Sequence, residues 1–138
     1  MIYETDQNEQ EERQVAAYLS MVYGFAMYKT PQFAVVDYIA TRDTKPIALV
    51  EIKCRRQSIQ QIDEMGGYLI SLSKWTKMRQ LSDMMRMPVA LCIRFDKAVY
   101  KYVTYEFGYD GTSKITRRDR GETEPAVIIN VERFTRVR

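Results

Sequence analysis

Asp37, Glu51 and Lys53 are the residues best placed to do chemistry, because they interrupt sequence that otherwise reads as core: FAVVDYIATRDTKPIALVEIK, positions 33–53. The stretch divides into two apolar runs, Phe33–Ala40 and Pro46–Cys54, joined by the polar, turn-prone Thr41–Lys45. Short runs rich in β-branched residues with such a link predict two strands in a hairpin. Residues i and i+2 of a strand share a face, so Glu51 and Lys53 point the same way, about 7 Å apart. Antiparallel pairing would let Asp37 lie across from Glu51. Two carboxylates and an ammonium then converge. Unpaired buried charge costs several kcal/mol per ion, so charges in apolar strands pair, bind a metal or face a cleft. A salt bridge on a half-exposed sheet face accounts for any one of these charges; the ordered trio points to a site.

The elements that must hold this trio follow from periodicity. Asp6 with Glu9 fits a helix N-cap, and from Gln7 to about Met27 the residues Ala16, Leu19, Val22, Tyr23 and Ala26 recur at helical steps. Glu4, Asp6, Glu9, Glu11 and Glu12 crowd the front of this helix, where the macrodipole favours negative charge. Glu12 differs from the rest: it lies one turn before Ala16, on the apolar face. Gly24 and Lys29-Thr30-Pro31 end the helix. On the second strand Ile47, Leu49, Glu51 and Lys53 share one face, and Ala48, Val50, Ile52 and Cys54 the other. A strand apolar on both faces until its end is a central strand. Its charges appear where it leaves the core, where open α/β sheets hold ligands. Gln57–Met65 is polar and carries no assignment, with Gly66-Gly67 as a break. Ser73 fits the cap of a helix from Lys74 to about Met87, whose Trp75, Met78, Leu81, Ser82 and Met85 form a core-facing stripe. Strands are expected at Val89–Phe95, Ala98–Tyr105 and Pro125–Val131.

Composition bounds the chemistry. The 138 residues suffice for one domain with a real core, and 46% hydrophobic with 28% charged residues is globular composition. No apolar run approaches the ~20 residues of a membrane-spanning helix, and the acidic start MIYETDQNEQEE resembles neither a secretory signal nor a transit peptide. The expected location is the cytoplasm of a bacterium or a phage-infected host cell. The two cysteines, Cys54 and Cys92, sit in strand-like runs and read as reduced buried thiols. With no histidine, His-dependent triads and His-ligated metals are excluded. Catalysis must come from carboxylates, lysine or hydroxyls, with or without an oxygen-loving cation such as Mg²⁺ or Mn²⁺. A net charge of +3 permits nucleic-acid binding without arguing for it. Arg55 and Arg56 continue from Lys53, and KITRRDR (114–120) is the densest basic patch. Solvated surface explains these arginines singly; together they suit a phosphate backbone.

Asp37 on one strand and Glu51-Ile52-Lys53 at the far end of the next resemble the motif of the PD-(D/E)XK nuclease superfamily, with Val36 where the name has proline. The resemblance covers the layout of about Asp6–Phe95 and implies an α/β, restriction-endonuclease-like core: a central mixed β-sheet flanked by α-helices, in α-β-β-α-β-β order. With Leu72-Ser73-Lys74-Trp75 after the motif, the layout is most similar to small stand-alone nucleases of phage, VRR-NUC or Holliday-junction-resolvase type. The activity implied is metal-dependent DNA hydrolysis using Mg²⁺ or Mn²⁺. Asp37, Glu51 and the backbone carbonyl of Ile52 would be metal ligands, joined by Glu12 or, failing it, Glu11 or Glu9. Lys53 would orient or deprotonate the attacking water. Lys74 stands where related nucleases place a polar or basic accessory residue, and Arg55, Arg56, Lys74, Arg117, Arg118 and Arg120 are the expected DNA contacts. So short a chain leaves little room for a recognition module, so DNA would be chosen by structure or shape. Homodimerisation stays open. A catalytically silent nucleic-acid-binding or assembly module on the same fold, and an unrelated α/β domain with a structural salt bridge, are the other readings.

Overall fold

The computed structural model describes residues 6–31, 35–103, 108–117 and 121–138. The amphipathic N-terminal segment forms helix α1 (Asp6–Tyr23) and buries Val15, Ala16 and Leu19, one face at helical spacing. It stops at Tyr23, short of the expected end near Met27. Gly24 takes a φ of +69° and its N–H donates to the Ser20 carbonyl at 2.9 Å, a helix stop that glycine favours. Ala26–Lys29 then forms strand β1 instead of a last helical turn. The spacing of Val22, Tyr23 and Ala26 fits either outcome, and the glycine decides it.

The central hairpin consists of β2 (Tyr38–Arg42) and β3 (Lys45–Arg55). Asp43 and Thr44 both adopt positive φ, 52° and 63°, the backbone of a two-residue turn whose twist suits the flanking strands. The register then shifts: Thr41 pairs with Pro46, but Ala40 pairs with Ala48, leaving Ile47 as an extra residue. This bulge matters to the site. Extended without it, the Arg42–Lys45 register would set Asp37 opposite Val50, whose side chain faces away from Glu51. With it, Tyr38 pairs with Val50, and Asp37 comes level with Glu51. The regular strand begins at Tyr38 rather than in the expected run from Phe33. Residues 35–37 form a bend, and Phe33 lies outside the described residues.

β3 is central, as its two apolar faces require. It pairs antiparallel with β2 and parallel with β5 (Val89–Phe95). The sheet is therefore mixed, in the order β1-β2-β3-β5-β6-β9, with β6 at Ala98–Val103 and β9 at Thr135–Arg136. α1 covers one face, where Val15, Ala16 and Leu19 cluster with Tyr38, Ala40, Val50, Ile52, Cys92 and Val99. On the other face Leu49, Leu91, Ile93, Phe95 and Tyr102 join a cluster with Ile62, Tyr68, Ile70, Met78, Val127 and Ile129. These last residues come from α2 (Ile59–Glu64), α3 (Leu72–Met85) and a second, antiparallel sheet in the order β4-β8-β7. Its strands are β4 (Tyr68–Ser71), β7 (Gly111–Arg117) and β8 (Glu122–Ile129). The central mixed sheet flanked by helices agrees with the sequence reading, and the strand expected at Pro125–Val131 is β8 of the second sheet; β1, α2, β4 and β7 are additions to that reading.

Two local expectations are corrected. The N-cap of α3 is Ser71, not Ser73: its Oγ accepts the Lys74 N–H at 3.1 Å, because β4 ends there in extended backbone. The unassigned polar stretch contains α2, started by a capping box in which Ser58 and Gln61 satisfy each other's backbone N–H groups. No helix among the described residues is long and apolar enough to cross a membrane.

Candidate active site

Glu51 is the centre of the site. Only 2% of its surface is exposed, and Val50 and Ile52 on either side of it are buried. Lys74 Nζ lies 3.0 Å from its Oε2 and Lys53 Nζ 3.7 Å, while its Oε1 is buried with no hydrogen-bond partner. Burial pushes its pKa up, the negative charge of Asp37 pushes the same way, and Lys53 and Lys74 pull it back, leaving it at about 7. Asp37 is held by the backbone opposite: its Oδ2 accepts the Ile52 N–H at 2.8 Å, and its own N–H donates to the Val50 carbonyl at 3.0 Å. The hairpin and its bulge thus bring Asp37, Glu51 and Lys53 together at the end of β3, the placement that antiparallel pairing allows. The Lys74 amine also donates to the Val35 carbonyl. This lysine belongs to the acidic cluster itself, because the Ser71 cap starts α3 directly over Glu51.

Glu12 reaches the cluster through a residue that the sequence reading passed over. Lys29, on edge strand β1, places its Nζ 3.0 Å from Glu12 Oε2 and 3.9 Å from Asp37 Oδ1. Its ammonium also lies over the Tyr38 ring, 5.0 Å from the centroid. Burial alone would lower the pKa of Lys29, but the hydrogen bond to Glu12 and the charges of Glu12 and Asp37 outweigh it, and the net shift is upward. A helix drawn to Met27 hides Lys29, since only the β1–β2 pairing, with Lys29 opposite Tyr38, carries it to Asp37. The other two acidic candidates are engaged elsewhere: Glu9 pairs with Arg13 at 3.9 Å and Glu11 with Arg94 at 3.7 Å.

The expected DNA contacts divide. Arg55 and Arg56 are exposed at the end of β3, and Arg55 Nη2 donates to the Tyr68 hydroxyl at 3.2 Å. Arg117 ends β7, opposite Glu122 of β8, so the basic patch begins in a strand and not in a loop. Its side chain, with Arg118 and Arg120, lies outside the described residues. Cys54 and Cys92 are free thiols, and burial pushes Cys92 up to about 12, which leaves it inert near neutral pH.

The donor set fits a hard divalent cation. Among the described residues no three His, Cys, Asp or Glu side chains gather closely enough to hold a metal by themselves. Mg²⁺, however, commonly uses one or two carboxylates and keeps several waters. Asp37 and Glu51 supply two, and the partnerless Oε1 of Glu51 is a buried lone-pair donor that a cation would satisfy.

The fold has a known counterpart. The chain superposes on Hjc, a Holliday junction resolvase from the archaeal hyperthermophile Archaeoglobus fulgidus, with a TM-score of 0.60 over 90% of this chain and 84% of that one, at 12% sequence identity. That likeness establishes the fold, which is the fold of the Hjc resolvase. No curated protein matches the chain in sequence. The family model described as "Phage putative PDDEXK endonuclease" matches residues 1–137. Matched over nearly its whole length, and with Asp37 and Glu51-Ile52-Lys53 in register at the end of the central strand, the chain belongs to this family of phage PDDEXK endonucleases.

Proposed function

We propose that the protein is a metal-dependent DNA endonuclease whose site is built from Asp37, Glu51 and Lys53. The observation that carries this reading is Glu51: a carboxylate buried beside a second carboxylate, with one oxygen lacking any partner. Such a group is costly to fold around and is explained by a cation it is meant to hold. Asp37, Glu51 and the Ile52 carbonyl would hold Mg²⁺ or Mn²⁺, with Glu12 as a further ligand, directly or through water. When bound, the cation supplies Lewis-acid neutralisation of the phosphoryl oxygens and a more acidic water.

The chain's own groups do the remaining work. Asp37 is oriented by the Ile52 N–H, which leaves its Oδ1, 3.9 Å from Lys29 Nζ, as the oxygen a cation would take. Lys53, half-exposed beside Glu51, faces the side from which a phosphodiester would approach. Its Nζ orients the attacking water or takes its proton, and offsets charge on the phosphate. Lys74, between Glu51 and the Val35 carbonyl, holds Glu51 in place and contributes positive charge toward the DNA. Arg55 and Arg56, with Arg117, Arg118 and Arg120, grip the phosphate backbone. The substrate is DNA recognised by its structure or shape, a reading supported by the likeness to Hjc, a Holliday junction resolvase. A homodimer would set two such sites on two strands. The working location is the cytoplasm of a phage-infected cell.

The test is cleavage of labelled single-stranded, duplex, flap and four-way-junction DNA, with Mg²⁺, Mn²⁺ or chelator. Wild type, Asp37→Ala and Lys53→Ala are compared after their folding has been checked. Metal-dependent cutting lost in both variants is the expected result. A catalytically silent binding module is the second reading, favoured by the ammonium that Lys29 places between Glu12 and Asp37. It would show salt-sensitive DNA binding and no product.

A further inference from the structure

Lys29 is a cation already seated between two carboxylates of the proposed metal site. Its Nζ lies 3.0 Å from Glu12 and 3.9 Å from Asp37. It comes from β1, which among the described residues is an edge strand paired with β2, and the side chain is 46% exposed, so it can leave for solvent without disturbing the core. In this position the ammonium also lies over the Tyr38 ring, 5.0 Å from its centroid. Asp37 Oδ2 is committed to the Ile52 N–H, which leaves Oδ1, the oxygen facing Lys29, as the one available to a metal. An ammonium and a divalent cation repel each other, and they would need the same oxygens.

We infer that Lys29 is a displaceable internal counter-ion. It holds Glu12 and Asp37 in place until a divalent cation takes them over, and it thereby lowers the affinity of the site for that cation. The inference rests on the metal-dependent reading above. It assigns to Lys29 a positioning role, set by competition for Glu12 and Asp37, and no contact with the reacting atoms.

Mn²⁺ binding to the whole protein without DNA, measured by titration calorimetry, tests both levels separately. Lys29→Met is expected to tighten the Mn²⁺ dissociation constant about tenfold, or ~1.4 kcal/mol. Lys45→Met, at the opposite end of β3, removes the same formal charge away from the site and is expected to leave it within about twofold. Asp37→Ala is expected to abolish binding. A second measurement needs no variant: the rate at which an amine-acylating reagent labels Lys29, read by mass spectrometry, is expected to rise severalfold when Mn²⁺ is saturating. Unchanged or weaker Mn²⁺ affinity in Lys29→Met, or Lys29 labelling that Mn²⁺ leaves unchanged, overturns the inference while Asp37-dependent Mn²⁺ binding stands. Absence of Asp37-dependent binding in the wild type overturns instead the metal reading on which it rests.

Discussion

Glu51 is buried beside Asp37 in the candidate site. Its pKa is raised from 4.5 to about 7, so the folded state favours the protonated form. The sign follows directly: this contribution to stability is fully present below about pH 4.5 and is lost as pH rises through about 7. The loss amounts to about 3 kcal/mol. Glu51→Gln mimics the protonated acid, so in chelator at pH 8 it is expected to be more stable than wild type and to lack the decline between pH 4.5 and 7. Urea denaturation across that range checks this, and an unchanged pH profile would mean that Glu51 is solvated or fully paired. The trio Asp37, Glu51 and Lys53 was legible in the sequence because charge inside β-branched runs is conspicuous. Lys29 was not legible. Its neighbours in sequence continue a helical pattern, and its partners Glu12 and Asp37 become its neighbours only through strand pairing. Lys74 was visible only by family resemblance, since nothing in the periodicity of α3 distinguishes it from a surface lysine.

At the scale of elements, backbone details set the geometry. The extra residue Ile47 brings Asp37 level with Glu51 rather than Val50. A polar link of five residues signals a hairpin but not the bulge beyond it, so the facing pair was a possibility in the sequence and became a fact only through the register. Gly67 does comparable work on the other side. Its φ is +121°, and a Cβ there would meet Ile128 Cγ2 at 2.8 Å and the Ile129 carbonyl oxygen at 2.9 Å. This close approach lets β4 start against β8, and the Ser71 cap at the end of β4 then sets Lys74 over Glu51. Gly67→Ala is expected to destabilise the protein by about 2–3 kcal/mol through strain and overpacking. A urea midpoint shift equivalent to less than ~0.5 kcal/mol would show that β4 can move off β8 freely. The Gly66-Gly67 pair was readable as a break, but β4 was not readable as a strand. Four residues with one exposed apolar member, Leu69, give too short a pattern to outweigh the glycines.

Across the whole molecule, the chain places its charged cluster where the central strand leaves the core, between a face sealed by α1 and a face sealed by α3 and the second sheet. The alternation of runs from α1 to β5 made this layout legible. Of the second sheet, β8 was legible as the strand expected at Pro125–Val131, but β7 was not, because Ile115 is its one large apolar residue and it is held by pairing with β8. With +3 net charge spread over 138 residues, bulk electrostatics give only mild attraction to DNA, so the activity must rest on the local site. The most direct test is therefore single-turnover cleavage of a preferred DNA substrate in Mg²⁺ by wild type and by Glu51→Gln, the variant expected to fold at least as stably. A fall of about 10³-fold or more is expected, because on the proposed reading the lost carboxylate is a metal ligand whose loss would cost several kcal/mol of transition-state stabilisation. Cleavage by folded Glu51→Gln within about tenfold of wild type would contradict the account: the buried glutamate would then be a structural charge, and the catalytic metal would be held elsewhere.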